Sequence, residues 1–151
     1  MLSTHRMRSR LAVGLVAFGV AGCGQLRPLS AEDLYEASLS GGQEAPPIAT
    51  RGHGMAQVQL NTATNVITWK ITYSDLTGPV TGAHIHGPAK MGQNAGIAVP
   101  FGGHLNAEPF TGQQRLAPAQ VAQLLNEQWY VNIHTARHPG GEIRGQLLPR
   151  R

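Results

Sequence analysis

The octapeptide "GAHIHGPA", Gly82 to Ala89, sets two histidines one residue apart in a run of small and apolar residues. In an extended chain, residues i and i+2 point the same way, about 6.6 Å apart, so His84 and His86 share one face while Ala83 and Ile85 share the other. The small and apolar pair belongs against a core. The histidines then belong on the outer face, where loops can cover them. The same parity applied to "WYVNIHT" sends Trp129, Val131 and Ile133 inward and Tyr130, Asn132 and His134 outward. If the two strands are neighbours, three imidazoles can converge on one ion at nitrogen distances of roughly 2.0 to 2.1 Å. An imidazole-only set suits copper or zinc, with nickel and iron also compatible. Copper is expected ahead of zinc.

Other residues offer less. An H-x-H pair also occurs on plainly solvated strands, because outward positions tolerate polar side chains. His104 in "GGHLNA" and His138 in "TARHPGG" lie in loop sequence and are the candidates for a fourth ligand, whereas His53 in "RGHGM" reads as surface. Glu44 in "GGQEAPP" and Glu142 in "GGEIRG" have the chemistry of an acid/base pair, but the surrounding Gly and Pro mark turns and nothing brings the two together. Arg144, two residues past Glu142 and of the same strand parity, is expected with it behind the histidines, binding that carboxylate or drawing in an anion. G-x-S-x-G, phosphate-loop and H-E-x-x-H patterns are absent, so no catalytic residue is assigned.

The elements that must position these residues read as short strands separated by Gly, Pro, Asn and Asp. In "VITWKITY", Ile67, Trp69, Ile71 and Tyr73 alternate with Val66, Thr68, Lys70 and Thr72, the pattern of a half-buried strand. Ala56, Val58 and Leu60 alternate with glutamines just before it, and "NTATN" (Asn61 to Asn65) supplies a hairpin turn. Further strands are expected at Leu34 to Leu39, Val80 to His86, Ile97 to Phe101, Trp129 to His134 and Ile143 to Leu148. One helix is expected near Pro118 to Asn126, where Pro118 suits a first turn and Val121, Leu124 and Leu125 recur at helical spacing. Many short strands without βαβ alternation predict an all-β fold, a Greek-key β-sandwich or barrel, with at most one short helix.

The 151 residues favour a single domain preceded by a leader. Arg6, Arg8 and Arg10 come before the apolar run "LAVGLVAFGV", the order of a secretory signal, and His5 lies in the same segment. That run is shorter than the roughly 20 residues a spanning helix needs. It ends in "VAGC", which resembles the bacterial lipobox, and Cys23 is the chain's one cysteine. Residues 1–22 are thus expected to be a lipoprotein signal peptide, Cys23 the lipidated N-terminus, residues 23–33 a tether and residues 34–149 the domain. Without the leader, nine basic residues face eight acidic ones, a net charge of +1. That balance argues against a nucleic-acid partner. The expectation is an exported protein of the cell envelope, held by its lipid at a periplasmic face or cell surface.

Three motifs together, "LSGGQEAPPIAT" (Leu39 to Thr50), "GAHIHGPA" (Gly82 to Ala89) and "YVNIHTARHPGGEIRGQL" (Tyr130 to Leu147), resemble the CHRD domain, a module named after chordin and found singly in bacterial exported proteins. The resemblance runs from about Tyr35 to Leu148 and implies no particular protein partner. A second, weaker resemblance is to copper/zinc superoxide dismutases, Greek-key sandwiches with an H-x-H on one strand, a later copper histidine and an arginine near the C-terminus. By order, His84, His86, His134 and Arg144 would match. No bridging histidine and no His/His/Asp zinc set stands between His86 and His134, so a second, zinc site is not implied. Three functions follow as expectations: a copper- or zinc-holding module, a copper-dependent superoxide dismutase-like oxidoreductase, or a metal-free structural or protein-binding domain.

Overall fold

The computed structural model describes residues 32–150; the expected signal peptide and Cys23 lie outside them. Strands β1 (Glu32–Ser40), β2 (His53–Asn61) and β3 (Val66–Ser74) form an antiparallel meander, and β6 (Phe110–Arg115) pairs with the far side of β3. A second group comprises β4 (Val80–His86), β5 (Ile97–Pro100), β7 (Tyr130–Thr135) and β8 (Ile143–Gln146), in the order β5-β4-β7-β8. The two groups join where Ser40 of β1 pairs with Arg144 of β8, and β9 (Leu148–Pro149) continues along Tyr35 and Glu36 of β1. Every pairing is antiparallel, and both groups feed one apolar core. The fold is all-β, sandwich-like and nearly closed. Among the described residues no helix is long and apolar enough to cross a membrane.

Parity explains why these segments are strands. Ala56, Val58 and Leu60 of β2 and Ile67, Trp69 and Ile71 of β3 are buried, while the residues between them are exposed or half-exposed. The hairpin turn is fixed by Asn61, whose side-chain oxygen accepts from the amides of Ala63 and Thr64, and by Asn65 at φ 56°. Asparagine tolerates that left-handed conformation better than most residues. The one described α-helix, α1 (Pro118–Leu125), begins at its proline, buries Leu124 and is tied to β5 by Gln120 Nε2 donating to the Ala98 carbonyl.

Two boundaries differ from the sequence expectation. The sheet starts at Glu32, so Glu32 and Asp33 belong to β1 and not to a tether ending at residue 33. β6 was not expected, because only Phe110 of "FTGQQR" is buried and an edge strand with one buried residue carries no hydrophobic alternation. Gly112 of β6 stands opposite Trp69, and a Cβ there would overlap the indole ring. Gly112→Ala is therefore expected to destabilise the fold by about 1–3 kcal/mol, the usual cost of overpacking. The midpoint of urea unfolding measures it.

Candidate metal centre

β4 and β7 are neighbours, in a register that pairs His84 with Asn132, His86 with Tyr130 and Gly82 with His134. Residues directly opposite each other share a face, so the three histidines stand together on the side away from Ile85 and Ile133. A register shift between Ile85 and His86 in the β4–β5 pairing locally bends the strand at the second histidine. Gly82 leaves room for the rings: a Cβ there would come within 3.2 Å of His84 Cε1. His84, His86 and His134 each offer a ligand atom, and these atoms lie within 4.8 Å of one another.

Backbone carbonyls orient two of the rings. His86 Nδ1 donates to Ala95 O at 3.1 Å and His134 Nδ1 donates to Pro139 O at 3.0 Å. In a neutral imidazole this leaves a lone pair on each Nε2, the arrangement that outer-shell carbonyls impose on metal-binding histidines. His86 Nε2 is buried and has no hydrogen-bond partner. His84 Nδ1 lies 3.2 Å from His134 Nε2. Two nitrogens on one tetrahedral ion at about 2.05 Å are about 3.3 Å apart, so this pair already has ligand spacing. The third nitrogen needs to move inward by roughly 1.5 Å, within reach of a ring rotation.

All three imidazoles are held neutral. Burial, then the neighbouring His134 and His86, pushes the His84 pKa down to about 4. Burial also lowers His86 and His134, outweighing the carbonyl hydrogen bonds that favour their charged forms. His86 is 9 % exposed, whereas His84 and His134 are half-buried, so the cluster opens to solvent on their side.

Behind His86 runs a stack. The Tyr130 ring lies parallel to the His86 ring at 5.0 Å, and the Arg144 guanidinium carbon sits 3.5 Å from the centre of the Tyr130 ring on β7. Arg144 donates to Gln93 O at 2.6 Å and to Asn94 Oδ1 at 2.9 Å, and the Ala95 amide donates to the Tyr130 hydroxyl. The loop whose Ala95 carbonyl orients His86 is thus itself pinned by Arg144 and Tyr130. Arg144 lies behind the Tyr130 ring and binds this loop, not Glu142. Glu142 instead accepts from Thr50, Thr77 and Thr135 and does not reach the histidines by a hydrogen bond. His104 is exposed and His138 caps a turn with Thr135, and neither belongs to the cluster.

Glu44 is the residue that sequence reasoning left without a place. The turn after β1 folds it onto the outer face of β7, where Asn132 Nδ2 donates to its Oε2 at 3.4 Å. It is 7 % exposed, and its Oε1 and Asn132 Oδ1 are both buried with no hydrogen-bond partner. Burial pushes the Glu44 pKa up to about 7, against the nearby Arg144 charge and the Asn132 hydrogen bond, which limit the rise. Its only sequence signal was an acidic residue inside a Gly/Pro turn.

A nearly closed antiparallel sandwich carrying convergent imidazoles on one strand pair is an all-β domain with a candidate metal centre. The chain matches the family model described as CHRD domain over residues 35–147 and belongs to that family. No curated protein and no solved structure matches the chain. The likeness to copper/zinc superoxide dismutases therefore rests only on the order of His84, His86, His134 and Arg144.

Proposed function

We propose that this CHRD-domain protein is exported, anchored by lipid at Cys23 in the cell envelope, and holds one copper ion, or in second place zinc, through His84, His86 and His134. The observation that carries the metal reading is the buried, unpartnered Nε2 of His86, aimed with its ring fixed by Ala95 O beside a His84–His134 pair at ligand spacing. A buried nitrogen acceptor without a donor is costly, and an ion satisfies it. Export and anchoring are supported by the charged-then-apolar leader and "VAGC". Titration of the untagged full-length protein with copper and zinc, together with its elemental analysis, tests the site; saturation at one ion per chain is expected, and an absence of binding overturns it. Added acyl mass at Cys23 in native mass spectra tests the anchor.

Proton competition has a defined direction. Protons displace an ion from imidazole only below the imidazole pKa, ordinarily about 6.5. The three pKa values are lowered, so loss of metal begins below that value. Copper retained below pH 6.5 after dialysis against a weak chelator is the expected result, with release on further acidification toward pH 4.

The solvent-open side formed by half-buried His84 and His134 favours a second reading, a copper-dependent superoxide dismutase-like oxidoreductase, since catalytic metal sites, unlike structural ones, keep a coordination position open. Arg144 is 2 % exposed and committed to Gln93 and Asn94, so it does not stand at the mouth to attract an anion. Superoxide consumption by the copper-loaded protein, measured against free copper, distinguishes the two readings.

A further inference from the structure

The polar face behind the histidines contains an acid that the metal ligands do not use. Glu44 is buried on β7, one of its oxygens has no partner, and the Asn132 oxygen beside it has none either. Two unpartnered acceptors on side chains already joined by a hydrogen bond are accounted for by one shared proton, which a neutral Glu44 donates to Asn132 Oδ1. Asn132 stands directly opposite His84, so Glu44 is separated from the imidazoles by a single side chain.

We propose that Glu44 is the charge-compensating acid of the histidine site: it keeps its proton while the imidazoles are free of metal and releases it to solvent when a divalent ion binds. This rests on the metal reading above. The charged group that acts on Glu44 is Arg144 from β8; beyond Asn132 lie His84 and His86 from β4 and His134 from β7, with the Tyr130 ring of β7 stacked between Arg144 and His86. With neutral imidazoles and a neutral acid, Arg144 is the one full charge acting on Glu44 among the described residues, and a divalent ion would add two more of the same sign. A divalent charge at roughly 10 Å through an effective dielectric of about 20 lowers a carboxyl pKa by about two units. The step is balanced: the ion enters, the Glu44 O–H bond breaks, the carboxylate stays between Asn132 and Arg144, and the proton goes to buffer. Ionisation then places a negative charge beside Arg144 and the ion, where neither was compensated before.

The experiment is calorimetric titration of the full-length protein with zinc chloride at pH 6.0, in two buffers of different ionisation enthalpy, for the wild type and Glu44→Gln. The wild type is expected to release about one proton more per zinc than the variant, and at pH 8.5, where Glu44 is already ionised, this excess disappears. At pH 8.5 the variant should bind zinc roughly 100-fold more weakly, the affinity equivalent of two pK units. Should Glu44→Gln fail to fold, infrared difference spectra of the wild type at pH 6.0 give the same answer through loss of a carboxylic-acid carbonyl stretch on zinc addition. Zinc binding with equal proton counts in both proteins, or with no loss of that stretch, overturns the role of Glu44 and leaves the metal site standing. No zinc binding by the wild type overturns both.

Discussion

His86→Ala is expected to weaken copper and zinc binding by more than about 100-fold, beyond the 10- to 100-fold typical of a lost outer-shell partner. His86 is the most buried of the three imidazoles, its Nδ1 is fixed by Ala95 O, and its Nε2 has no other use in the fold. Its loss leaves His84 and His134, a two-nitrogen set that binds like an ordinary surface pair. The variant also vacates the space beside the Tyr130 ring, so its folding is checked by far-UV circular dichroism and by its unfolding midpoint. His134→Ala should behave similarly. Unchanged stoichiometry and affinity in folded His86→Ala and His134→Ala would mean that these histidines serve the loops alone.

Glu142→Ala is expected to destabilise the domain by about 3–5 kcal/mol, the scale for removing one partner from a buried charged network. Glu142 is fully buried and accepts from Thr50 Oγ1 at 2.8 Å, the Thr77 amide at 2.9 Å, Thr77 Oγ1 at 2.7 Å and Thr135 Oγ1 at 2.7 Å. It thereby ties the loop before β2, the β3–β4 crossing and the end of β7 to the entry of β8. Alanine removes the acceptor shared by four donors, of which only the Thr77 and Thr135 hydroxyls can turn to each other; Glu142→Gln restores the shape but presents an amide group to them and should lose less. The pH dependence has a fixed sign. Burial on its own would raise the Glu142 pKa, but the bonds from Thr135, Thr77 and Thr50 and the Thr77 amide together hold it below the ordinary 4.5. A depressed folded-state pKa gives stability that is present above the unfolded value and lost as pH falls through the folded one. The gap between wild type and Glu142→Ala in urea unfolding should accordingly narrow below about pH 4.5.

What the sequence could show depended on whether a residue's role was local. β4, Val80–His86, is legible end to end, because alternation and flanking Gly-Pro punctuation define it within its own residues. The inward set Trp129, Val131 and Ile133 is buried for the same reason, and parity alone put His134 on the face of His84 and His86. That β4 and β7 pair, however, is set by a chain reversal that no local period encodes; the hydrogen-bonded pair His84 and His134 lie 50 positions apart. Glu44 meets Asn132 across 88 positions, and its burial follows from the turn folding back on the sheet. Parity does not determine the partners of Glu142: it precedes β8, and three threonines from separate segments donate to its carboxylate.

The junction of the sandwich has a consequence for motion. Ser40 and Arg144 supply the pairing that joins β1 to β8, and the same Arg144 holds the loop that orients His86. Separating the two halves of the sandwich thus withdraws the support of the third imidazole in the same event, so an ion bound at full affinity reports a closed seam. Binding to the closed form alone stabilises it by RT ln(1 + [L]/Kd), about 2.7 kcal/mol at a hundredfold excess over Kd. Amide exchange along Ser38 to Ser40 and Ile143 to Gly145 should slow by the corresponding factor of about 100 when metal is added, while the distant β2–β3 hairpin turn at Asn61 to Asn65 exchanges as before. In this fold the metal site would act as a latch on the seam between two half-sheets.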